Sequence, residues 1–350
     1  MKKRLVNAID VFCGAGGLTR GLERAGIRVI AGLDIDSDCR YPYEHNNRAR
    51  FILEDIATTT ADDVIKLFPK RGVRVLVGCA PCQPFSKYTQ GQDKERGDDR
   101  WSLLTRFADL IAGVRPDVIS MENVATLTQH GVYDEFICTL KELEYQVSEY
   151  KVSCVKYGIA QNRERLVVLA SRLGPISLIK PTHTKHQFRS VRDIIGNLEP
   201  ITAGGRSERD RIHCASTLSE TNQKRIKASR PGGTWKDWDE ELIAPCHRKE
   251  SGKTYRGVYG RMDWDKPAPT ITTQFYGFGN GRFGHPEQDR ALSIREAALL
   301  QTFPRHYKFF PPRAPVRFKS AGRMIGNAVP VRLGLVVGRS IIRHIEAHDA

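Results

Sequence analysis

The sequence reads as lacking any apolar run long enough to serve as a signal peptide or to cross a bilayer, and its first ten residues, MKKRLVNAID, are basic without an apolar core. A soluble, intracellular protein with no membrane partner is therefore expected. A disulfide framework is also missing: the eight cysteines are scattered and, without a secretory signal, read as reduced thiols, one of which is free to be reactive. Acidic residues are in deficit, 40 Asp and Glu against 55 Lys and Arg, which leaves a formal charge of +15. That balance points to a polyanionic partner, nucleic acid first, because each neutralised phosphate releases counterions. No internal repeat or low-complexity tail interrupts the 350 residues, and the chain is long enough to bury a core without staples.

What is present is a rhythm. From Asn7 to about Ala170, short apolar runs rich in β-branched residues alternate with helical patterns. Ala8 to Phe12, Arg28 to Gly32, Val73 to Cys79, Val118 to Met121 and Arg165 to Ala170 have the composition of strands buried in a parallel sheet. The fold class implied is α/β. Beyond Pro181, Gly and Pro become frequent, charge clusters appear at Arg206 to Arg211, Lys224 to Arg230 and His247 to Lys253, and apolar residues thin out. Helical periodicity returns at Ser293, with Glu296 in capping-box spacing, and a last amphipathic helix is expected from Val331 to about His344. The division that follows is one domain over 1–180 and 318–350, a second over 181–292, and a hinge over 293–317. Two long loops stand out, Pro84 to Arg100 and Phe275 to Gly284. A long loop inside an α/β domain is usually functional, often a lid.

The run Asp10-Val-Phe-Cys-Gly-Ala-Gly-Gly17 follows the first strand and opens a helix, so backbone can pass close to a ligand at a helix N-terminus. Asp34 and Asp36 end the next strand, where an acidic side chain can accept from both hydroxyls of a ribose. Spacing alone leaves a dinucleotide and S-adenosylmethionine equally open, and a glycine-rich run is sometimes only a tight turn. The segment Cys79-Ala-Pro81-Cys82-Gln83 carries three readings. A zinc site lacks a second closely spaced pair of ligands, so no metal is expected. A thioredoxin-like redox pair would leave the glycine-rich turn without a purpose. The third reading is a catalytic thiolate at a strand end beside a loop free to close over substrate, with Cys82 reactive and Cys79 an incidental buried neighbour.

With these residues in view, the chain resembles the DNA cytosine-5 methyltransferase family. The resemblance is carried, in order, by Asp10 to Gly17, Pro81-Cys82-Gln83, Glu122-Asn123-Val124, Gln161-Asn-Arg163-Glu-Arg165, Arg295-Glu296 through Pro304, and Gly326-Asn327-Ala-Val329-Pro330. Six fragments in family order cover nearly the whole chain apart from the basic insert. The resemblance implies a Rossmann-like, doubly wound methyltransferase sheet plus a smaller, irregular target-recognition domain. It also implies S-adenosylmethionine as methyl donor and double-stranded DNA as partner.

Roles carry over position by position as the resemblance implies. Cys82 would add to C6 of cytosine, Glu122 would share a proton with N3, Arg165 would donate to O2, and Arg163 would support it or favour the thiolate. The alternative for Glu122 and Arg165 is a plain buried ion pair. Phe12 would stack near adenine, Gly14, Ala15, Gly16 and Gly17 would hold the methionine end, and Asp34 would take the ribose hydroxyls. Ile35 would pack on adenine in place of the family's usual aromatic, Asp55 and Ile56 would meet the adenine amine, and Pro81, Asn327 and Val329 would close the pocket. A duplex base must be flipped out to reach Cys82, so the Pro84 to Arg100 loop would be the lid. Ser86, Lys87, Arg100, Arg261, Thr270 and Arg282 are the candidate DNA contacts. A tRNA-acting relative would carry a Cys-Phe-Thr signature, which is absent from the sequence. A non-catalytic DNA-binding scaffold would lack the nucleophile or a cofactor residue, and a nicotinamide dehydrogenase would leave Pro81-Cys82-Gln83 unexplained. The compact chain suits a bacterial, monomeric modification enzyme of the cytoplasm, at the nucleoid, with or without a cognate restriction endonuclease.

Overall fold

The computed structural model describes residues 4–81, 102–255 and 257–348. In chain order its elements are β1 (Val6–Val11), α1 (Gly17–Arg24), β2 (Arg28–Asp34), α2 (Arg40–Asn46), β3 (Arg50–Leu53), α3 (Ala61–Leu67), β4 (Val73–Gly78), α4 (Ser102–Val114), β5 (Val118–Val124), α5 (Gly131–Glu142), β6 (Gln146–Ser153), β7 (Gln161–Asn162), β8 (Glu164–Ser171), α6 (Val191–Ile195), α7 (Glu220–Ala228), α8 (Pro245–Arg248), β9 (Ala268–Pro269), α9 (Ile294–Leu300), α10 (Phe318–Gly326) and α11 (Val331–His348). They form two units, one of residues 1–153, 164–181 and 329–350, the other of 154–163 and 182–328. Residues 154–163 and 293–328 thus cluster with the second unit, so the boundaries differ from those expected at 180 and 318.

The first unit is built on a seven-stranded sheet in the order β3-β2-β1-β4-β5-β8-β6. Strands β1 to β5 run parallel; at one side β8 is antiparallel to both its neighbours, β5 and β6, so β6 runs in the direction of β1 to β5. The central strands β1, β4 and β5 are buried almost throughout, which is why they read as unbroken apolar runs. Ile9, Val11, Leu76, Ile119 and Met121 pack with Phe107 of α4 and Phe136 of α5. From β1 the chain winds outward to β2 and β3, then returns to place β4 on the other side of β1. This reversal opens a crevice at the carboxyl ends of the strands, where ligands of open α/β sheets bind.

Helix α1 lies directly against α11. Gly21 permits this: a Cβ there would stand 2.4 Å from backbone atoms of Gly334 and Leu335. Within the stretch 318–348 the most apolar 18-residue window has a mean hydropathy of 1.3, which by length and composition would suffice to cross a membrane, although two thirds of that window (67%) is buried within the fold. The expectation that no segment is that apolar is therefore corrected: burial of α11 in a protein core makes it so.

The second unit has little regular structure and is held by buried polar hubs. Arg290, 0% exposed, meets Glu296 through both guanidinium nitrogens at 2.7 and 2.8 Å. Glu296 also accepts from the Ser293 amide at 2.7 Å, completing the capping box at the start of α9. Burial alone would raise the Glu296 carboxyl; the Arg290 guanidinium overrides it and holds the pKa down to about 2. A separate apolar cluster gathers Leu218, Ile226, Trp235, Trp238 and Phe278.

Candidate active site

Parallel register decides which side chains meet at the carboxyl edge of the sheet. Val11 at the end of β1 pairs with Gly78 at the end of β4, and Gly78 pairs with Met121 of β5. The glycine-rich turn, the Cys79-Ala-Pro turn and Glu122 therefore emerge from neighbouring strands. Antiparallel β8 brings Arg165 opposite Val124, at the same edge.

Glu122 is buried, 3% exposed. Its Oε1 lies 3.2 Å from Arg165 Nε, but the two are not aligned as a hydrogen bond, so the contact is an ion pair rather than a directed bond. Its Oε2 accepts from the Cys79 thiol at 2.9 Å. Cys79 is only half-buried and is committed to this carboxylate, which corrects the expectation of an incidental buried neighbour. Asn123 holds the next turn residue, its Nδ2 donating to the Ala80 carbonyl at 3.2 Å. Pro81, the last residue described before the loop, is exposed. Cys82, Ser86, Lys87 and Arg100 lie outside the described residues.

At the glycine-rich turn, Gly14 and Gly16 adopt left-handed φ values of 50° and 86°, and Phe12, with φ 61°, shares that region at a cost a non-glycine residue seldom bears without purpose. Gly14 donates its amide to Asp34 Oδ2 at 2.8 Å, and Asp36 donates to Asp34 Oδ1 at 2.9 Å, so the acidic strand end braces the turn. Burial raises the Asp34 carboxyl above its usual range, against the lowering by those amides. The far side of the turn is open: a Cβ on Gly14 would meet nothing within 4 Å. Beside it Ile35 is 67% exposed, an unusual position for a large apolar side chain next to a buried strand. Ala15, Gly16 and Gly17 are buried under the turn, Ile56 is buried, and Asp55 caps its own loop by accepting from the Ala57 amide at 2.9 Å. An apolar face, a bracing carboxylate with lone pairs to spare and a bare backbone turn fit a nucleoside cofactor that carries a ribose diol.

Beneath the turn lies a triad that went unassigned in the sequence. Asp10 Oδ2 accepts from the Thr19 hydroxyl at 2.6 Å, and Thr19 meets the Tyr43 hydroxyl at 2.9 Å. Burial pushes the Asp10 carboxyl up to about 7, with the Thr19 hydrogen bond opposing and the Asp34 charge adding to the rise. Burial likewise raises the Cys13 thiol far above its usual range, which makes Cys13 inert rather than nucleophilic.

Other sequence candidates sit in the second unit. Arg163 is 3% exposed and donates to the Ile271 and Ala328 carbonyls at 3.2 and 3.3 Å. Gln161 and Gln301 continue this network, with Gln301 Nε2 donating to the Ile325 carbonyl at 2.7 Å. Asn327 is exposed at the end of α10, and Val329, where the first unit resumes, is buried. Thr270 donates its hydroxyl to the Asn162 carbonyl at 2.8 Å. One expected DNA contact, Arg261, is corrected. Arg261 is 4% exposed, and its guanidinium is spent on the carbonyls of Ile226, Ser229, His285 and Gln288 and on the Asp289 carboxylate. Arg282 is half-buried and donates to the carbonyls of Gly233 and Arg261. Arg261 is left with little to offer a phosphate, whereas Arg282 commits a single guanidinium nitrogen to these carbonyls. No group of three or more His, Cys, Asp or Glu able to hold a metal occurs among the described residues.

A family model described as C-5 cytosine-specific DNA methylase matches residues 6–343. The chain belongs to this family. It is a DNA cytosine-5 methyltransferase. It is 54% identical to the Type II methylase M.HgiDII of Herpetosiphon aurantiacus over 97% of this chain and 95% of that one. It is 28% identical to the Type II methyltransferase M.Sau96I of Staphylococcus aureus over 98% of this chain and 77% of that one. The crystal structure of a DNA modification methyltransferase encoded within a prophage (E. coli) superposes with a TM-score of 0.70 at 21% identity, covering 97% of this chain and 99% of that one. At that identity the likeness speaks for the fold: an α/β methyltransferase with a mostly parallel sheet.

Proposed function

We propose that the methyltransferase uses S-adenosylmethionine to methylate C5 of a cytosine flipped out of double-stranded DNA, through a covalent bond between Cys82 and C6. The observation that carries this reading is Glu122, a buried carboxylate at the end of β5, ion-paired to Arg165 and one strand away from the turn that leads to Pro81 and Cys82.

C5 of cytosine is a poor nucleophile. Addition of the Cys82 thiolate at C6 breaks the C5–C6 double bond and moves electron density to C5. The charge that builds on the ring is relieved when Glu122 shares a proton with N3 and accepts from the exocyclic amine, while Arg165 donates to O2. Bound S-adenosylmethionine supplies the electrophilic methyl group. Loss of the C5 proton and β-elimination then expel Cys82 and restore the aromatic ring, with water as the base. Phe12, the Gly14 to Gly17 turn, Asp34, Ile35, Asp55, Ile56, Pro81, Asn327 and Val329 hold the cofactor. The open backbone at Gly14 and the exposed Ile35 support that assignment.

The second unit reads the target sequence in this proposal, with Thr270 near the flipped nucleotide and Ser86, Lys87 and Arg100 as further DNA contacts. Arg206, Arg209, Lys224 and Lys227 are exposed and suit phosphate contacts, which position the protein without specifying sequence. The enzyme acts as a monomer in the bacterial cytoplasm, at the nucleoid, as the Type II modification partner of a restriction endonuclease or as a solitary methylase. Labelled methyl transfer to duplex DNA, mapped by bisulfite sequencing of DNA from an expressing host, tests substrate and position together. In the same assay Glu122→Gln should bind DNA but turn over at least about a hundredfold more slowly. Near-normal turnover would remove Glu122 from the mechanism.

A further inference from the structure

The mechanism gives tasks to Glu122 and Arg165 and none to Cys79. We propose that Cys79 is a positioning residue, whose thiol holds the Glu122 carboxylate in the orientation that meets the cytosine ring. The inference rests on the role of Glu122 proposed above.

Three observations support it. The thiol donates to Oε2 at 2.9 Å, and among the described residues it is the hydrogen-bond donor to this carboxylate, because Oε1 meets Arg165 without alignment. Glu122 is 3% exposed, so no bulk water fixes its rotamer, and an ion pair engaging one oxygen leaves rotation about the last torsion free. The place of Cys79 is itself fixed. A Cβ on the preceding Gly78 would approach Val11 Cγ2 to 2.9 Å and the Phe107 ring to 3.2 Å, so that residue is pressed against the core and the next side chain is delivered to β5.

The chemistry of sulfur suits the task. A thiol is a weak donor, and it orients the carboxyl group without competing strongly with a substrate N–H. The Cys79 thiol is engaged as a donor to Glu122 at 2.9 Å, which leaves nucleophilic attack to Cys82 in this proposal.

The test measures kcat and KM of the full-length enzyme, with duplex DNA and S-adenosylmethionine, for Cys79→Ala and Cys79→Ser. Loss of one hydrogen bond to a charged group should lower kcat about tenfold in Cys79→Ala, with both KM values within about twofold of wild type. Cys79→Ser, which keeps a donor, should retain kcat within about threefold of wild type. Wild-type kcat in Cys79→Ala, or equal losses in the two variants, would overturn the proposal. If Cys79→Ala does not fold, Cys79→Val against Cys79→Ser supplies the same contrast of methyl and hydroxyl, with the same two outcomes. Cys82→Ala and Glu122→Gln measured alongside separate the two claims. If either of those keeps full turnover, the underlying mechanism fails; if both collapse while Cys79→Ala is unchanged, only the positioning role fails.

Discussion

Replacing Gly21 by Ala should cost far more than one exposed methyl group. The new Cβ would stand 2.4 Å from Gly334 C and Leu335 N and 2.5 Å from Val331 O, all backbone atoms of α11. Carbon atoms rest at about 3.5–4 Å from their neighbours. No side chain can rotate aside, so α1 and α11 must separate by about 1 Å along their contact. Overpacking of this kind costs about 1–3 kcal/mol or more, and alanine recovers about 1 kcal/mol of helix propensity. The net loss reaches about 2 kcal/mol at the upper end of that range, a fall in Tm of about 4–8 °C for a unit of this size. Calorimetric or circular-dichroism melts measure it, with Gly131→Ala as control. A Cβ at Gly131, in the first turn of α5, meets nothing within 4 Å and should leave Tm unchanged or slightly raised. Because α1 also carries Gly17 of the cofactor turn, affinity for S-adenosylmethionine should fall in Gly21→Ala and not in Gly131→Ala. A Gly21→Ala protein that melts at or above the wild-type temperature would refute backbone contact between the two helices.

Two further perturbations follow from buried groups. Asp10 has its pKa raised from 3.8 to about 7, so folding favours its protonated form; that contribution is full below the unfolded value and is lost as pH rises through about 7. Asp10→Asn keeps an acceptor for Thr19 and carries no charge, so its Tm should exceed wild type at about pH 8 and match it near about pH 4, and a lower Tm at pH 8 would contradict the burial argument. Arg261→Met removes the donors that tie the Ile226 carbonyl of α7 to four loop groups and should lower stability by about 3 kcal/mol or more. The salt dependence of DNA binding by the folded fraction should not change, whereas an unchanged Tm with a slope reduced by about one would return Arg261 to the phosphate contacts.

Burial on both faces is what made β1, β4, β5 and β8 visible as apolar runs, and with them the edge that carries Asp34, Glu122 and Arg165. Strands β3 and β6 escaped the same pattern because they lie at the two margins of the sheet. The four residues of β3 include exposed Arg50 and Leu53, and β6 places polar Glu149 and Lys151 among partly exposed positions, a common way to blunt an edge. Resemblance to the family suggested Arg261 as a DNA contact, yet a short motif cannot reveal that a guanidinium is surrounded by carbonyls. The Cys79 hydrogen bond was hidden for a related reason: it depends on the register of β4 against β5 and on a rotamer, neither of which leaves a trace in residue spacing. Asn123 was visible inside the Glu122-Asn123-Val124 fragment, but its hold on the Ala80 carbonyl was not. Asp10 stood in the glycine-rich fragment as well, and its role beneath the turn emerges only once Thr19 and Tyr43 are folded against it.

The most direct test of the central claim is covalent trapping. Duplex DNA carrying 5-fluorocytosine at the target, incubated with the enzyme and S-adenosylmethionine, should yield a denaturation-resistant protein–DNA complex, because fluorine at C5 leaves no proton to remove and blocks the elimination that frees Cys82. Peptide mapping should place the adduct on Cys82, and Cys82→Ser should give none. A complex that persists in Cys82→Ser, or methyl transfer retained in Cys82→Ser and abolished in Cys79→Ser, would contradict the account.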